Sequence, residues 1–268
     1  MMEVDAPLVA KKAEAGQFVI LRVKGGERIP LTIAGYDRAR GTVKIIFQVV
    51  GATTARLGAL EVGDSIDDFA GPLGCKTELE GLSDVLIVGG GVGCAIALPI
   101  TQKLRELGAR VTSIIGFRSR DLLILEDEFS AASDELHIVT DDGSYGRQGN
   151  ICLPLSEMIA EGRRFDKIIA IGPLVMMKFV TETARPTGIP CVVSMNPIMI
   201  DGTGMCGGCR LTLLQGGKRV TKFACVDGPD FNAYEVDFDE AMSRSNMYRD
   251  FERHAYEDTC NLLRKEEK

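Results

Sequence analysis

Residues 201–210, DGTGMCGGCR, set Cys206 and Cys209 two residues apart in a loop that also holds four glycines. Cys225 follows after fifteen residues, and Asp201 precedes the pair with four residues between. The pattern D-x4-C-x2-C-x15-C has the C-x4-C-x2-C…C spacing that holds a [2Fe–2S] cluster, with aspartate at the first position. Soft thiolates bind iron strongly, and the metal keeps the sulfur deprotonated. Loop glycines let backbone N–H groups turn toward the sulfurs, which stabilises the more negative reduced state. Two other chemistries stay open on spacing alone. Zinc would take the three thiolates and the carboxylate, although neither His137 nor His254 lies near enough in sequence to complete its usual ligand set. A dithiol redox pair would leave Cys225 idle. Asp201 ahead of Gly202 is also an ordinary turn aspartate.

A second candidate site begins at Gly89, Gly90, Gly91 and Gly93, which follow the apolar run DVLIV and open a helical pattern. Glycine lets backbone N–H groups approach a pyrophosphate, and a helix N-terminus adds partial positive charge. A tight turn without a ligand is the plainer reading. The next apolar run ends in Phe117, Arg118, Ser119 and Arg120. In the usual dinucleotide topology an arginine there accepts a 2′-phosphate, whereas an acid grips a 2′-hydroxyl, so NADH and NADPH both stay open. TDDGSYG, with Asp141 and Asp142, and IGPLVMM, with Gly172, Pro173 and Met176, fall at two later strand ends. That is the sheet edge at which parallel strands bind ligands, and three such loops point to one shared crevice.

Two N-terminal stretches suit a flavin dinucleotide, which needs a cation for its pyrophosphate and hydroxyl or N–H donors for phosphate oxygens and ring. ERIPLTIAGYD places Arg28, Pro30, Leu31 and Thr32 together after a strand, and GATTARLG places Gly51, Thr53 and Thr54 after another. By spacing alone the signal is weak, and an Arg, Pro, Thr turn is far more often only a turn.

These loops need a scaffold, and 268 residues suffice for two modest domains with their own cores. The 45% apolar and 26% charged fractions are those of a soluble globular protein. A formal charge of -7 argues against nucleic acid as a partner and leaves room for docking on a basic surface. No apolar run reaches about 18 residues, so no membrane span is expected. MMEVDAPLVAKK lacks a signal peptide's apolar core, which points to the cytoplasm. In that compartment the eight cysteines read as ligands, redox groups or core packing rather than disulfides. With two histidines and no tryptophan, imidazole catalysis has little material.

Residues 1–80 read as an antiparallel β-barrel, with QFVILRV and TVKIIFQVV as strands between turn clusters. Residues 81–195 alternate apolar strands with helical patterns, which predicts a parallel sheet with right-handed crossovers. The helix VGCAIALPITQKLREL ends at Gly108, where a C-terminal cap glycine belongs. Residues 196–268 hold the cysteine loop, a hairpin pattern (RLTLLQGGKRVTKFA) and a charged helical tail.

The runs GERIPLTIA, VGGGVG, RSRDLLILEDE, TDDGSYGRQG, IGPLVMMK, NPIMIDGTGMCGGCR and FACVDGPDFNAYEVDFDE touch nearly the whole chain. Through them the chain resembles the small (alpha) subunits of NADH-dependent ferredoxin:NADP+ oxidoreductase, also called sulfide dehydrogenase beta subunits. These are siblings of the dihydroorotate dehydrogenase electron-transfer subunits. The resemblance implies a ferredoxin-reductase-like fold: an FAD β-barrel, an NAD-binding α/β domain and a C-terminal [2Fe–2S] module. It also implies Asp201, Cys206, Cys209 and Cys225 as cluster ligands. FAD contacts are implied at Arg28, Pro30, Leu31, Thr32, Gly51, Thr53 and Thr54. NAD(H) contacts are implied at Gly90, Gly91 and Gly93, with Gly172 and Pro173 near the nicotinamide.

The dihydroorotate branch has a cysteine where Asp201 stands, which favours the ferredoxin:NADP+ branch. The implied activity is electron transfer between [2Fe–2S], FAD and NAD(H) within an electron-bifurcating assembly. The partner would be a larger FAD- and [4Fe–4S]-containing subunit, with ferredoxin reached through it. Two departures stand out. Family members carry about one more strand ahead of a segment like MMEVDAP, so the chain is expected to start late: either the barrel lacks an edge strand or the start is misplaced. Cys94 and Ala95 replace an early Ala-Pro pair and would reshape the nicotinamide pocket. From other classes, a zinc-stabilised scaffold and a simple nucleotide-binding module remain as alternatives.

Overall fold

In the computed structural model, which describes residues 1–266, the N-terminal strands are β1 (Met2–Asp5), β2 (Phe18–Arg22), β3 (Ile29–Asp37), β4 (Thr42–Ile45) and β5 (Asp68–Leu73). They form one antiparallel sheet in the order β1-β4-β3-β2-β5. β3 serves two partners: Thr32 lies opposite Phe18 of β2, whereas Ile33 lies opposite Ile45 of β4, and the register shifts between Ile33 and Gly35. A bulge there raises the local twist and curls the sheet into a half-barrel. Val19, Leu21, Ile33, Val43 and Ile45 fill its inside with Leu57. Two short helices, α1 (Pro7–Ala10) and α2 (Ala52–Gly58), lie in its connections.

Three local expectations are corrected here. TVKIIFQVV pairs only as far as Ile45, because β3 turns away to β2 and leaves residues 46–50 without a partner strand. GATTARLG is a helix rather than a turn. Pro30, Leu31 and Thr32 lie within β3 instead of following a strand.

The second layer alternates as the periodicity predicts: β6 (Asp84–Gly90), α3 (Cys94–Glu106), β7 (Arg110–Phe117), α4 (Glu126–Ala132), β8 (Glu135–Thr140), β9 (Arg147–Gln148), α5 (Cys152–Ala160), β10 (Lys167–Ile171), α6 (Leu174–Ala184) and β11 (Cys191–Ser194). These strands run parallel in the order β11-β10-β6-β7-β8-β9. β6 is buried on both faces: Val85 and Ile87 join one core, Leu86 and Val88 the other. Helices on both sides of a parallel sheet demand such unbroken apolar strands. Gly108 follows α3 at φ 83°, as a left-handed cap requires.

The last segment forms the hairpin β12 (Arg210–Gln215) and β13 (Lys218–Phe223), then α7 (Ala224–Asp227), β14 (Asp230–Asn232), α8 (Phe238–Ser245) and α9 (Arg249–Glu266). It does not stand apart. β14 returns to the parallel sheet and pairs antiparallel with β11. The final helix, α9, packs back on α2 of the half-barrel.

Candidate functional site

The glycine turn sits between β6 and α3, and each glycine has its own reason to be there. A Cβ on Gly93 would stand 2.5 Å from the Ile171 carbonyl oxygen, so this glycine lets α3 pack on β10. Gly91 has φ 55° and open space where a side chain would project, which is the form of a backbone cradle. A Cβ on Gly90 would overlap Met176 Sδ and lie 3.2 Å from Pro173 Cδ. Gly90, Gly91, Gly93, Gly172, Pro173 and Met176 therefore build one wall at the ends of β6 and β10. Arg118, Asp141 and Asp142 are exposed at the ends of β7 and β8, on the other side of the turn. Their backbones are tied together: Asp141 N donates to Phe117 O at 3.0 Å and Asp142 N to Arg118 O at 3.2 Å. Two Ser144 groups bonded to the Asp142 carboxylate hold it below the usual carboxylate range. The three strand-end loops thus lie along one end of the parallel sheet.

In the half-barrel, the Thr54 hydroxyl accepts from Gly51 N at 2.9 Å and Val50 N at 3.1 Å, closing the first turn of α2. The Thr53 hydroxyl accepts from Glu27 N at 2.9 Å, which ties the loop before Arg28 to the same helix. Arg28 is exposed and 3.3 Å from Asp68, whose carboxyl is held low chiefly by its hydrogen bond from Arg22. Gly51, Thr53, Thr54 and Arg28 are therefore gathered beside the Pro30–Thr32 strand. Sequence reasoning missed Arg56. Its guanidinium lies 3.2 Å from where a Gly25 Cβ would stand, and its buried Nε has no partner. A guanidinium with an unpaired N–H beside the Gly25 turn suits an anionic ligand. No motif marks Arg56; only the unforeseen helix α2 brings it to this side.

In the cysteine loop, the Asp201 carboxylate accepts from Thr203 N at 2.7 Å and from Cys206 N at 3.0 Å. It also bonds the Cys206 thiol, and its negative charge helps to raise the Cys225 thiol. Cys209 Sγ and Cys225 Sγ are 3.1 Å apart and buried, whereas Cys206 is exposed. Burial, with Cys209 next to it, pushes the Cys225 thiol up to about 12. Gly208 N donates to Cys206 Sγ at 3.4 Å. The four residues fall into two pairs, Asp201 with Cys206 and Cys209 with Cys225. Among the described residues no three His, Cys, Asp or Glu side chains surround a single point that could hold one ion. Two irons with two ligands each fit the paired arrangement better than one tetrahedral zinc.

This loop touches the half-barrel directly. A Cβ on Gly202 would stand 2.6 Å from Leu73 Cδ1 and 3.1 Å from Ile20 Cδ1. Cys75 N donates to Gly228 O at 2.6 Å. Thr32 lies opposite Phe18, and Phe18 opposite Leu73, so Thr32 and the edge that meets the cysteine loop are two strand spacings apart. That is about 10 Å.

Residues 196–237 match the iron–sulfur cluster binding domain of dihydroorotate dehydrogenase B. A Thermotoga maritima protein named as a homolog of the dihydroorotate dehydrogenase B (NAD(+)) electron transfer subunit is 48% identical over 255 residues, covering 95% of this chain and 88% of that protein. The corresponding subunit of Streptococcus pneumoniae is 33% identical over 83% of this chain and 86% of its own length. Among solved structures, one of NADH-dependent reduced ferredoxin-NADP oxidoreductase, described for flavin-based electron bifurcation, superimposes with TM-score 0.87 and 46% identity over 96% of this chain and 91% of that one. The fold is ferredoxin-reductase-like, and the chain belongs to the family of dihydroorotate dehydrogenase B electron transfer subunits, oxidoreductase components with a C-terminal iron–sulfur domain.

Proposed function

We propose that the chain passes electrons between a [2Fe–2S] cluster, FAD and NAD(H), as the small subunit of an electron-bifurcating NADH-dependent ferredoxin:NADP+ oxidoreductase. The flavin site is the half-barrel of residues 1–80, the nucleotide site lies in residues 81–195, and the cluster module spans residues 196–268 with β14 lent to the central sheet. The observation that supports this most is the contact of the cysteine loop with Leu73 and Ile20, on strands that pair toward Thr32. It brings the cysteine loop beside the strands that pair toward Thr32, which supports a short path between cluster and flavin.

FAD, when bound, exchanges electrons singly or as a hydride, so the protein supplies position rather than an acid or base. Arg28 and Arg56 would neutralise its diphosphate, Thr53 and Thr54 order the helix start beneath it, and Pro30, Leu31 and Thr32 present the strand along its ring. Gly90, Gly172 and Pro173 leave room for a flat nicotinamide against backbone, with Met176 as the side of the slot. Asp201 and Cys206 would hold one iron, and Cys209 and Cys225 the other. The exposed rim of the loop at Cys206 is where a larger FAD- and [4Fe–4S]-containing partner subunit docks in this reading, with ferredoxin reached through that subunit. The chain acts in the cytoplasm.

The names of the relatives favour a second reading, the electron transfer subunit of a dihydroorotate dehydrogenase. Both readings share one test. Anaerobic protein titrated with NADH should bleach at the flavin bands and then give the electron paramagnetic resonance signal of a reduced [2Fe–2S] cluster. Cys225→Ser should keep the bleaching and lose that signal. Bleaching without any cluster signal in the unaltered protein overturns the electron path. Adding dihydroorotate dehydrogenase catalytic subunit or ferredoxin-linked partner then separates the two assemblies.

A further inference from the structure

Helix α8 is locked to the hairpin that leads out of the cysteine loop. Asp237 caps it, its Oδ1 accepting from Glu240 N at 3.0 Å. Arg219 of β13 forms ion pairs with Asp237, at 3.0 Å, and with Glu240. Asp237 N donates to Thr212 O of β12 at 3.0 Å. Held in this way at its first turn, the helix carries its last turn to the cysteine loop. There the half-buried Arg244 donates from one guanidinium nitrogen to Gly208 O at 3.3 Å.

Gly208 stands beside two cysteines at once. Its N–H donates to Cys206 Sγ at 3.4 Å, and its carbonyl belongs to the peptide that enters Cys209. The other bonds that shape this loop come from neutral groups. Thr203 N, the Thr203 hydroxyl and Cys206 N meet the Asp201 carboxylate, Arg210 N meets Gly207 O, and Ala224 N meets Cys209 O. Among the described residues, Arg244 is the one lysine or arginine whose side chain is hydrogen-bonded to residues 201–209. Lys222, which lies ahead of Cys225 in the hairpin, is neutralised by Asp227 at 3.0 Å.

Bound to iron, three thiolates and a carboxylate are all anionic, and one-electron reduction adds a further negative charge. A fixed cation beside such ligands favours the more negative state and so raises the reduction potential. We propose that Arg244, anchored on the Gly208 carbonyl, supplies the positive charge that raises the reduction potential of the group held by Asp201, Cys206, Cys209 and Cys225. This rests on the [2Fe–2S] reading given above. Solvent screens part of the attraction because Arg244 is half-buried, and the remainder is worth about tenfold in the reduction equilibrium.

The test is an anaerobic redox titration of the holoprotein with dithionite and mediators, the paramagnetic signal of the reduced cluster being read at each potential without turnover. Arg244→Gln keeps an N–H donor for Gly208 O and removes the charge. Its equilibrium constant for cluster reduction should fall about tenfold, a potential about 59 mV lower for one electron. The flavin bands, read in the same samples, should bleach at an unchanged potential. Arg244→Lys keeps the charge and should stay within about threefold of the unaltered protein. An unchanged cluster potential in Arg244→Gln, or an equal fall in Arg244→Lys, overturns the inference and leaves the cluster reading intact. Loss of iron from both variants marks Arg244 as a structural clamp and also overturns it. Should Arg244→Gln alone fail to take up iron, Arg244→Lys decides: a potential within about threefold supports the inference and a fall of about tenfold overturns it. No reduced-cluster signal in the unaltered protein overturns both the inference and the reading it rests on.

Discussion

Gly90→Ala tests the crevice wall, and its cost can be worked out from the neighbours. Gly90 has φ -122° and ψ 124°, a conformation any residue adopts, so the backbone is not strained by a side chain. In the unfolded chain alanine is stiffer than glycine, which by itself favours the folded protein by about 0.5 kcal/mol. Against this, the new methyl overlaps Met176 Sδ and lies 3.2 Å from Pro173 Cδ. Overpacking of that kind costs about 1–3 kcal/mol, at the low end here because Met176 is only half-buried and flexible. The expected net loss is about 1 kcal/mol, with Met176 swung into the nucleotide slot. In a Met176→Ala background the overlap vanishes, and Gly90→Ala should become neutral or slightly stabilising. The coupling between the two sites is then about 1–2 kcal/mol. Urea unfolding of all four proteins measures it, and an NADH titration of each should show affinity lost in Gly90→Ala and regained in the double variant. Additive effects within about 0.5 kcal/mol would refute the contact, and NADH binding untouched by Gly90→Ala would refute the slot.

Three further outcomes follow from the same structure. Asp201→Ala removes the acceptor of Thr203 N and Cys206 N, so iron content or the paramagnetic spectrum should change while the FAD to protein ratio stays constant; identical spectra would argue that Asp201 only caps its loop. Asp230 is half-buried with its Oδ1 shut off from solvent and without a partner, its Oδ2 accepts from Thr77 at 2.6 Å, and desolvation raises its pKa. A raised folded pKa makes the ionised form costly at neutral pH and the protein more stable as pH falls toward the ordinary carboxylate value, so Asp230→Asn should gain about 1 kcal/mol at pH 8, with the gain shrinking toward pH 5; a pH-independent difference would count against this. Ending the chain before α9 uncovers α2, the helix that carries Thr53 and Thr54, and should speed FAD release about tenfold with cluster content unchanged, read by the recovery of flavin fluorescence.

The layers of the molecule were legible wherever hydrophobic period and punctuation agreed. DVLIVGG, ARVTSIIGF and DKIIAIGP are unbroken apolar runs because β6, β7 and β10 are covered on both faces, and Gly108 marked the end of α3. The hairpin at β12 and β13 was legible from Gly216 and Gly217, both of which have positive φ. Less legible were elements fixed by distant partners. Three residues, Asp230–Asn232, cannot announce a strand by period, and only β11 makes them one. GATTARLG opens with turn-forming residues, and its helix is set by the Thr54 cap and the burial of Ala55 and Leu57. That missed helix is also why Arg56 escaped notice. At the cysteine loop the spacing gave the residue types and their neighbourhood, while the division into two pairs depends on the route the chain takes from Cys209 through the hairpin back to Cys225.

The measurement nearest the heart of the account is the cofactor content and visible spectrum of anaerobically purified protein. About two irons, about two acid-labile sulfides and one FAD per chain, with flavin bands and a cluster shoulder, are the expected result. A colourless protein, or one holding zinc at the cysteine loop and no sulfide, would contradict it.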